Sequence, residues 1–313
     1  MGKSLVLYFH RENDAAMWER IILALKQRYQ LVSLPQLEEL LLKTEKLNNI
    51  CHISFDDGDS SFYQIVYPVL IKHQVPVSLF LSPEILVKGV NYWFQEIRDY
   101  DEGVMKQLIA KYFSIPMISL KPFSFREIFM CLSYDVMTKL ITAYRQELKC
   151  GPTLSQNMSL AEALEVDQSG LVTIGAHSIH HPILQNEEEE NCLKEIEESI
   201  KGLQQLLGHP VRYFAYPNGI PGIDFGEREM KYLKDCGVTV AFSTELDHLS
   251  SRVNMLSIPR MGYPLMGLSP GNPLINFRLG MGNHWINIKS FGRLSEKKIR
   301  ARINLLLGDK RIK

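Results

Sequence analysis

Short apolar runs alternate along this chain with stretches whose apolar residues recur every three or four positions. Six runs read as strands: Leu5–Phe9, Ile50–Phe55, Val77–Leu81, Leu171–Ala176, Arg212–Tyr216 and Val238–Ser243. Each is nearly continuous in Val, Ile, Leu, Phe or Tyr, as parallel strands covered on both faces tend to be. Helical spacing marks Asp14–Tyr29, Leu34–Lys43 and, after Gly58, the series Phe62, Ile65, Val66, Val69 and Leu70. Another helix is expected after Asn186, which forms a capping-box pattern with Glu189, and the acidic run Glu187–Glu190 suits the positive end of the helix dipole. Its apolar stripe is Leu193, Ile196, Ile200, Leu203 and Leu207, and Gly208 with Pro210 ends it. Strands alternating with helices predict an α/β fold with a largely parallel sheet.

The segment 91–167 breaks this rhythm. It is rich in helix formers and aromatics and reads as a mostly helical insertion over one face or mouth of the sheet. Beyond Gly262 the pattern dissolves into Gly, Pro and Asn, before a helix-like stretch at Ser295–Leu307 that is basic on one side. The expected organisation is one α/β domain over 1–270 carrying the insertion, followed by a basic tail over 271–313.

Composition adds bounds. The 313 residues can bury a substantial core, and a formal net charge of zero argues against a nucleic-acid partner. From Lys289 onward, nine Lys and Arg face two acids, so the tail is basic and is a candidate for weak contact with an anionic membrane surface or a phosphate-bearing substrate. The five cysteines are scattered and never form a C-x-x-C pair, which fits a reducing compartment. Leu5–Phe9 is too short for a signal-peptide core, no stretch approaches a membrane span, and a cytoplasmic location is the expectation. Oligomeric state is not legible.

Strand ends carry the chemistry. His10 follows the first strand, Asp56 and Asp57 the second, His177 the strand from Leu171, and Tyr216-Pro217 the strand from Arg212. Functional groups gather at the carboxyl ends of parallel strands, so these residues are expected to converge. Adjacent carboxylates at the end of a buried strand are costly unless a cation or a reaction uses them. His177 and His181 lie four apart and His180 falls between them, so spacing alone leaves the second imidazole open. One Asp with two His leaves coordination positions for water and substrate, and zinc is the first choice among divalent ions.

Ser54-Phe55-Asp56-Asp57-Gly58, His177-Ser178-Ile179-His180-His181-Pro182 and Phe214-Ala215-Tyr216-Pro217-Asn218-Gly219 together resemble the three leading motifs of the polysaccharide deacetylases, the NodB-homology domain of carbohydrate esterase family 4. The likeness runs from Leu5 to about Arg260. It implies a deformed (β/α)7-type barrel that hydrolyses N-acetyl groups on amino sugars with a divalent metal. Carried over, Asp57, His177 and His181 hold the metal and Asp56 is the general base. The backbone N–H of Tyr216 helps to hold the oxyanion.

Three departures follow. The motif arginine that braces the catalytic Asp is Ala215 here, and Arg260 is the candidate to replace it. The Asp/Trp fourth motif is not evident. The Leu-x-His fifth motif is missing, with His248 and His284 in the wrong local setting. Leu7-Tyr8-Phe9-His10-Arg11 resembles the N-terminal segment of the circularly permuted poly-N-acetylglucosamine deacetylase branch, which makes His10 the general acid. The expected substrate is an N-acetylated glycan of surface polysaccharide or its lipid- or nucleotide-linked precursor. Tyr92, Trp93 and Phe94 are candidates to line the sugar site, although such a cluster is more often core. Competing readings are a metal-dependent hydrolase opening a small cyclic amide or ureide, and a glycan-binding pseudoenzyme.

Overall fold

The computed structural model describes residues 3–43, 47–262 and 296–308. The Gly/Pro-rich run after Gly262, His284 and most of the basic tail lie outside them. Among the described residues, eight strands form one sheet: β1 (Leu5–Phe9), β2 (Gln30–Leu31), β3 (Ile50–Phe55), β4 (Val77–Leu81), β5 (Val172–Ala176), β6 (Tyr213–Ala215), β7 (Val240–Phe242) and β8 (Met261–Gly262). The order is β7-β6-β5-β4-β3-β1-β8, with β2 beside β3, and every strand pairing is parallel. All six expected strands are present. The two missed ones, β2 and β8, are two residues long and only partly buried, below what periodicity detects.

The sheet curls into a barrel. Ile258 bridges Phe242 at the β7 edge, and Met261 and Gly262 pair with Leu7 and Tyr8 at the β1 edge. Alternation along each strand splits the core in two, because successive side chains take opposite faces. Leu5, Leu7, Phe214 and Ala241 pack outward with Trp18, Leu70 and Ile196 of the surrounding helices. Val6, Phe80, Tyr213, Val240 and Phe242 fill the inside. Among the described residues no helix is long and apolar enough to cross a membrane.

The helical expectation for 91–167 holds, and the segment builds a third core of its own. Trp93, Met105, Phe125, Phe129 and Leu140 are buried together with Ile303, which arrives from a helix at 296–307. Two local expectations need correction. Helix Glu189–Leu207 is capped at Glu188, not Asn186, whose side-chain amide is instead spent on the carbonyls of Met130 (3.0 Å) and Leu132 (3.2 Å). Its buried stripe is centred on Cys192, Ile196, Ile200 and Leu203, and Leu193 is exposed. The predicted stop at Gly208 is present as a left-handed C-cap.

Candidate active site

Strand register sets the height of the site. Phe9 lies opposite Phe55, and Leu81 opposite Ala176. The ladder then runs one residue past each strand: Asp56 donates its N–H to Phe9 (3.0 Å), His177 to Leu81 (3.0 Å) and Tyr216 to Phe242 (3.1 Å). These residues therefore leave the sheet at one level, at its carboxyl edge.

Immediately beyond, the backbone turns sharply. Asp57, Ser178, His181 and Asn218 all adopt positive φ, between 57° and 70°. Non-glycine residues rarely do so, and each instance costs on the order of 1–3 kcal/mol unless the surroundings enforce it. At Gly58 (φ +69°) a Cβ would sit 2.4 Å from Leu81 Cδ2. Gly58→Ala is therefore expected to lower stability by about 1–3 kcal/mol and to displace Asp57. A thermal melt and a zinc-binding titration check this; an unchanged melt together with unchanged affinity would contradict it.

Asp57, His177 and His181 converge with ligand atoms within 4.8 Å of one another. Asp57 Oδ1 lies 3.5 Å from His177 Nε2 and 3.7 Å from His181 Nε2. His177 Nδ1 is 2.7 Å from the Ala215 carbonyl, which can only accept, so that nitrogen carries the proton and Nε2 presents its lone pair. Burial, reinforced by His177, pushes the His181 pKa well down, so its imidazole is neutral; burial pushes the Asp57 carboxyl up, against the pull of His10 and His177. Among the described residues, Asp57 Oδ1 is buried without a hydrogen-bond partner and faces the Nε2 atoms of His177 and His181. A buried, unpartnered carboxylate oxygen beside two imidazole nitrogens is what a divalent cation would satisfy, and the donor set fits one.

His180 is turned away. Its ring lies between Glu195 (2.6 Å) and Glu84 (3.1 Å), and Glu195 also accepts the N–H groups of Ile179 and His180. The ambiguity left by spacing is thus resolved by geometry: the middle histidine braces the turn that carries the outer two.

Arg260 lies against Asp56. Its guanidinium donates to both carboxylate oxygens at 2.8 Å, to Ser54 Oγ at 3.1 Å and to the Ser243 carbonyl at 3.1 Å. Arg260 is 0% exposed and sits over the rings of Tyr8, Phe242 and Phe80 at 5.0–5.7 Å, a cation–π setting. Burial opposes ionisation of Asp56, but Arg260, helped by His177, outweighs it and holds the carboxyl at about 2. The brace that Ala215 cannot supply thus reaches the same carboxylate from the segment that closes the barrel.

His10 is half exposed, with Nε2 4.0 Å from Asp57 Oδ2. Tyr216 needs correction. Its N–H is engaged by Phe242 because the β6–β7 ladder extends through it, and its ring stacks on Phe225 with centroids 3.6 Å apart. Pro217 has no N–H. The next donor is Asn218, a residue lining the same cavity, whose N–H makes no hydrogen bond among the described residues.

That cavity, about 280 Å³, is walled by Trp93, Phe94, Met130 and Ile183 around the polar cluster. A larger one of about 410 Å³, beside His248, contains none of the ligand set. The insertion does more than line the mouth. Tyr92 donates its hydroxyl to the Asp57 carbonyl (3.1 Å), and Trp93 its indole N–H to the His181 carbonyl (2.8 Å). The sequence reading treats these aromatics as sugar contacts or core; the polar handles on Tyr and Trp are the signal that they also secure the metal-ligand turns.

With this geometry in place, comparisons with known proteins define its fold. A family model described as Polysaccharide deacetylase matches residues 136–241, about a third of the chain, spanning His177, His181 and the Tyr216–Asn218 turn. No curated protein matches by sequence. Among solved structures, the chain is similar to a Streptococcus pyogenes deacetylase, PplD, solved in complex with acetate (15% identity, 87% of this chain and 96% of that one, TM-score 0.57). It is also similar to IcaB from Ammonifex degensii (17%, 84% and 92%, TM-score 0.56) and to a de-N-acetylase from Aggregatibacter actinomycetemcomitans (16%, 83% and 94%, TM-score 0.53). The fold is that of the polysaccharide deacetylases, and the resemblance read from the motifs is borne out.

Proposed function

We propose that this protein is a metal-dependent hydrolase that removes N-acetyl groups from an amino-sugar substrate. The observation that carries the reading is the convergence of Asp57, His177 and His181 beside a carboxylate, Asp56, that Arg260 keeps ionised. The deacetylase fold supports it, as does the acetate in the Streptococcus structure, since acetate is the product expected here.

Asp57, His177 and His181 are the residues to hold the ion, with zinc the first choice for this ligand set. A bound divalent ion supplies Lewis acidity to the acetyl carbonyl and activates water at neutral pH. Asp56 accepts a proton from the attacking water, in the role of general base. The Asn218 N–H, in place of Tyr216, donates to the carbonyl oxygen as it becomes anionic. His10, at the open side of the cavity, protonates the departing amine. Trp93 and Phe94 offer apolar faces to a sugar ring. The substrate class is an N-acetylated glycan of a surface polysaccharide or its lipid- or nucleotide-linked precursor.

Acetate release from N-acetylglucosamine oligomers by zinc-loaded protein tests the activity. Release is the expected result; opening of a cyclic amide or ureide without acetate release, or metal binding without any turnover, would overturn the reading. For His10→Ala, kcat on the N-acetyl sugar is expected to fall about 10²-fold or more, because an amine leaves poorly unprotonated. On 4-nitrophenyl acetate, whose leaving group needs no proton, the rate stays near that of the wild type. Equal losses on both substrates would remove His10 from the acid role.

A further inference from the structure

Far from the metal ligands in sequence, a second buried carboxylate reaches the same cavity through a turn. Asp224 is 1% exposed. Its Oδ2 accepts from Asn218 Nδ2 (2.6 Å) and from the Ile220 N–H (2.7 Å), which fastens the turn after β6. Its Oδ1 accepts from Arg300 Nη1 (2.6 Å), on the 296–307 helix. A buried carboxylate without a paired cation is strongly destabilised, and here the cation comes from a segment 76 residues away.

The rest of the helix shows how Arg300 is held. Its other guanidinium nitrogen pairs with Glu296 (2.6 Å), its carbonyl receives the Cys131 thiol (4.0 Å), and Ile303 is buried in the core of the helical insertion. Read from sequence this stretch is a helix basic on one side; in the fold its Arg300 is buried against Asp224. On the receiving side, Asn218 and Gly219 are both left-handed (φ 57° and 72°), and Thr244, two residues past β7, fixes them by bonding the Asn218 carbonyl through Oγ1 (2.8 Å) and the Gly219 carbonyl through its N–H (2.7 Å). The turn is thus clamped on its carbonyl side by Thr244 and on its donor side by Asp224.

We infer that Arg300 is a positioning residue for the reaction: through Asp224 it holds the Asn218 turn in the conformation that presents the Asn218 N–H to the reacting carbonyl. The C-terminal helix is then part of how the active site is built. The inference rests on the deacetylase reading for its effect on rate, but not for its effect on the turn.

The test uses full-length, zinc-loaded protein carrying Arg300→Gln, with two readouts. Acetate release per bound zinc is expected to fall about 10–100-fold in kcat, with KM within about twofold, as befits a donor needed chiefly in the transition state. The hydrogen-bonded amides of the turn, Gly219, Ile220 and Gly222, are expected to exchange hydrogen at least about tenfold faster, while those of 172–177 keep their protection. Arg300→Lys retains the charge and should recover much of both; it also serves if the Gln variant does not fold. Unchanged exchange in the turn, an unchanged kcat, a rise in KM alone, or a rate loss that merely tracks lost zinc would each overturn the inference. If the wild type releases no acetate yet Arg300→Gln still frees the Gly219, Ile220 and Gly222 amides, the clamp is supported and the deacetylase reading fails.

Discussion

Asp56→Asn lowers kcat by about 10²–10⁴-fold while zinc stays bound, because the change removes the proton acceptor and leaves Asp57, His177 and His181 in place. The amide is nearly isosteric, but it cannot accept both guanidinium bonds of Arg260 without turning an N–H₂ group towards one of them. Arg260 is 0% exposed, so losing the counter-charge also costs roughly 3–5 kcal/mol of stability, the scale for breaking a buried pair. The two effects separate experimentally. Single-turnover acetate release at saturating zinc reads the chemistry, and a thermal melt reads the pair. A rate within a few fold of wild type in zinc-replete Asp56→Asn would show that some other group takes the proton.

Arg260→Met is expected to damage the same carboxylate from the other side, with a pH signature of its own. In the wild type Asp56 titrates at about 2, so it is ionised at every ordinary assay pH and leaves no acid limb near neutrality. Without the guanidinium, burial is opposed only by the histidines nearby, and the carboxyl pKa rises. A base with a raised pKa is protonated, and inactive, up to a higher pH. The kcat/KM profile of Arg260→Met should therefore acquire or shift an acid limb upward, with activity recovering as pH increases. The stability cost is again roughly 3–5 kcal/mol, since a buried carboxylate loses its partner. A profile parallel to wild type and merely lower would contradict the electrostatic role, leaving Arg260 as packing alone.

The sheet and the polar cluster differ in how far sequence exposes them. β1, β3 and β4 are nearly continuous apolar runs buried on both faces, so composition alone marks them, with the ends at the residues expected. β8 is invisible by that criterion, yet the segment that leads into it closes the barrel and carries Arg260. The Asp56–Arg260 contact spans 204 positions and exists only because both sheet edges meet at 258–262, a tertiary fact that no local pattern encodes. The motif arginine missing at Ala215 is still a usable signal, because an ionised, buried Asp56 demands a cation from somewhere.

Hydrogen-bond competition explains the misreadings. Asn186 has the composition of an N-cap, but its amide finds the Met130 and Leu132 carbonyls of the insertion, which lie far off in sequence. Tyr216 occupies the expected turn, but its N–H belongs to the sheet ladder, and only the geometry of β6 and β7 reveals that the ladder runs one residue further. Asn218 then becomes the donor by elimination, with Pro217 unable to serve. Arg300 reads as one basic residue among many, and its inward turn depends on Asp224 being buried beneath it.

The account stands most directly on a titration of chelator-treated protein with zinc, reading acetate released from an N-acetylglucosamine oligomer against metal bound. The prediction is no release without metal and a rise that saturates at one ion per chain, as one Asp57–His177–His181 cluster requires, with the endpoint abolished in His181→Ala. Full release from the metal-free protein, or release that ignores the loss of His181, would contradict it.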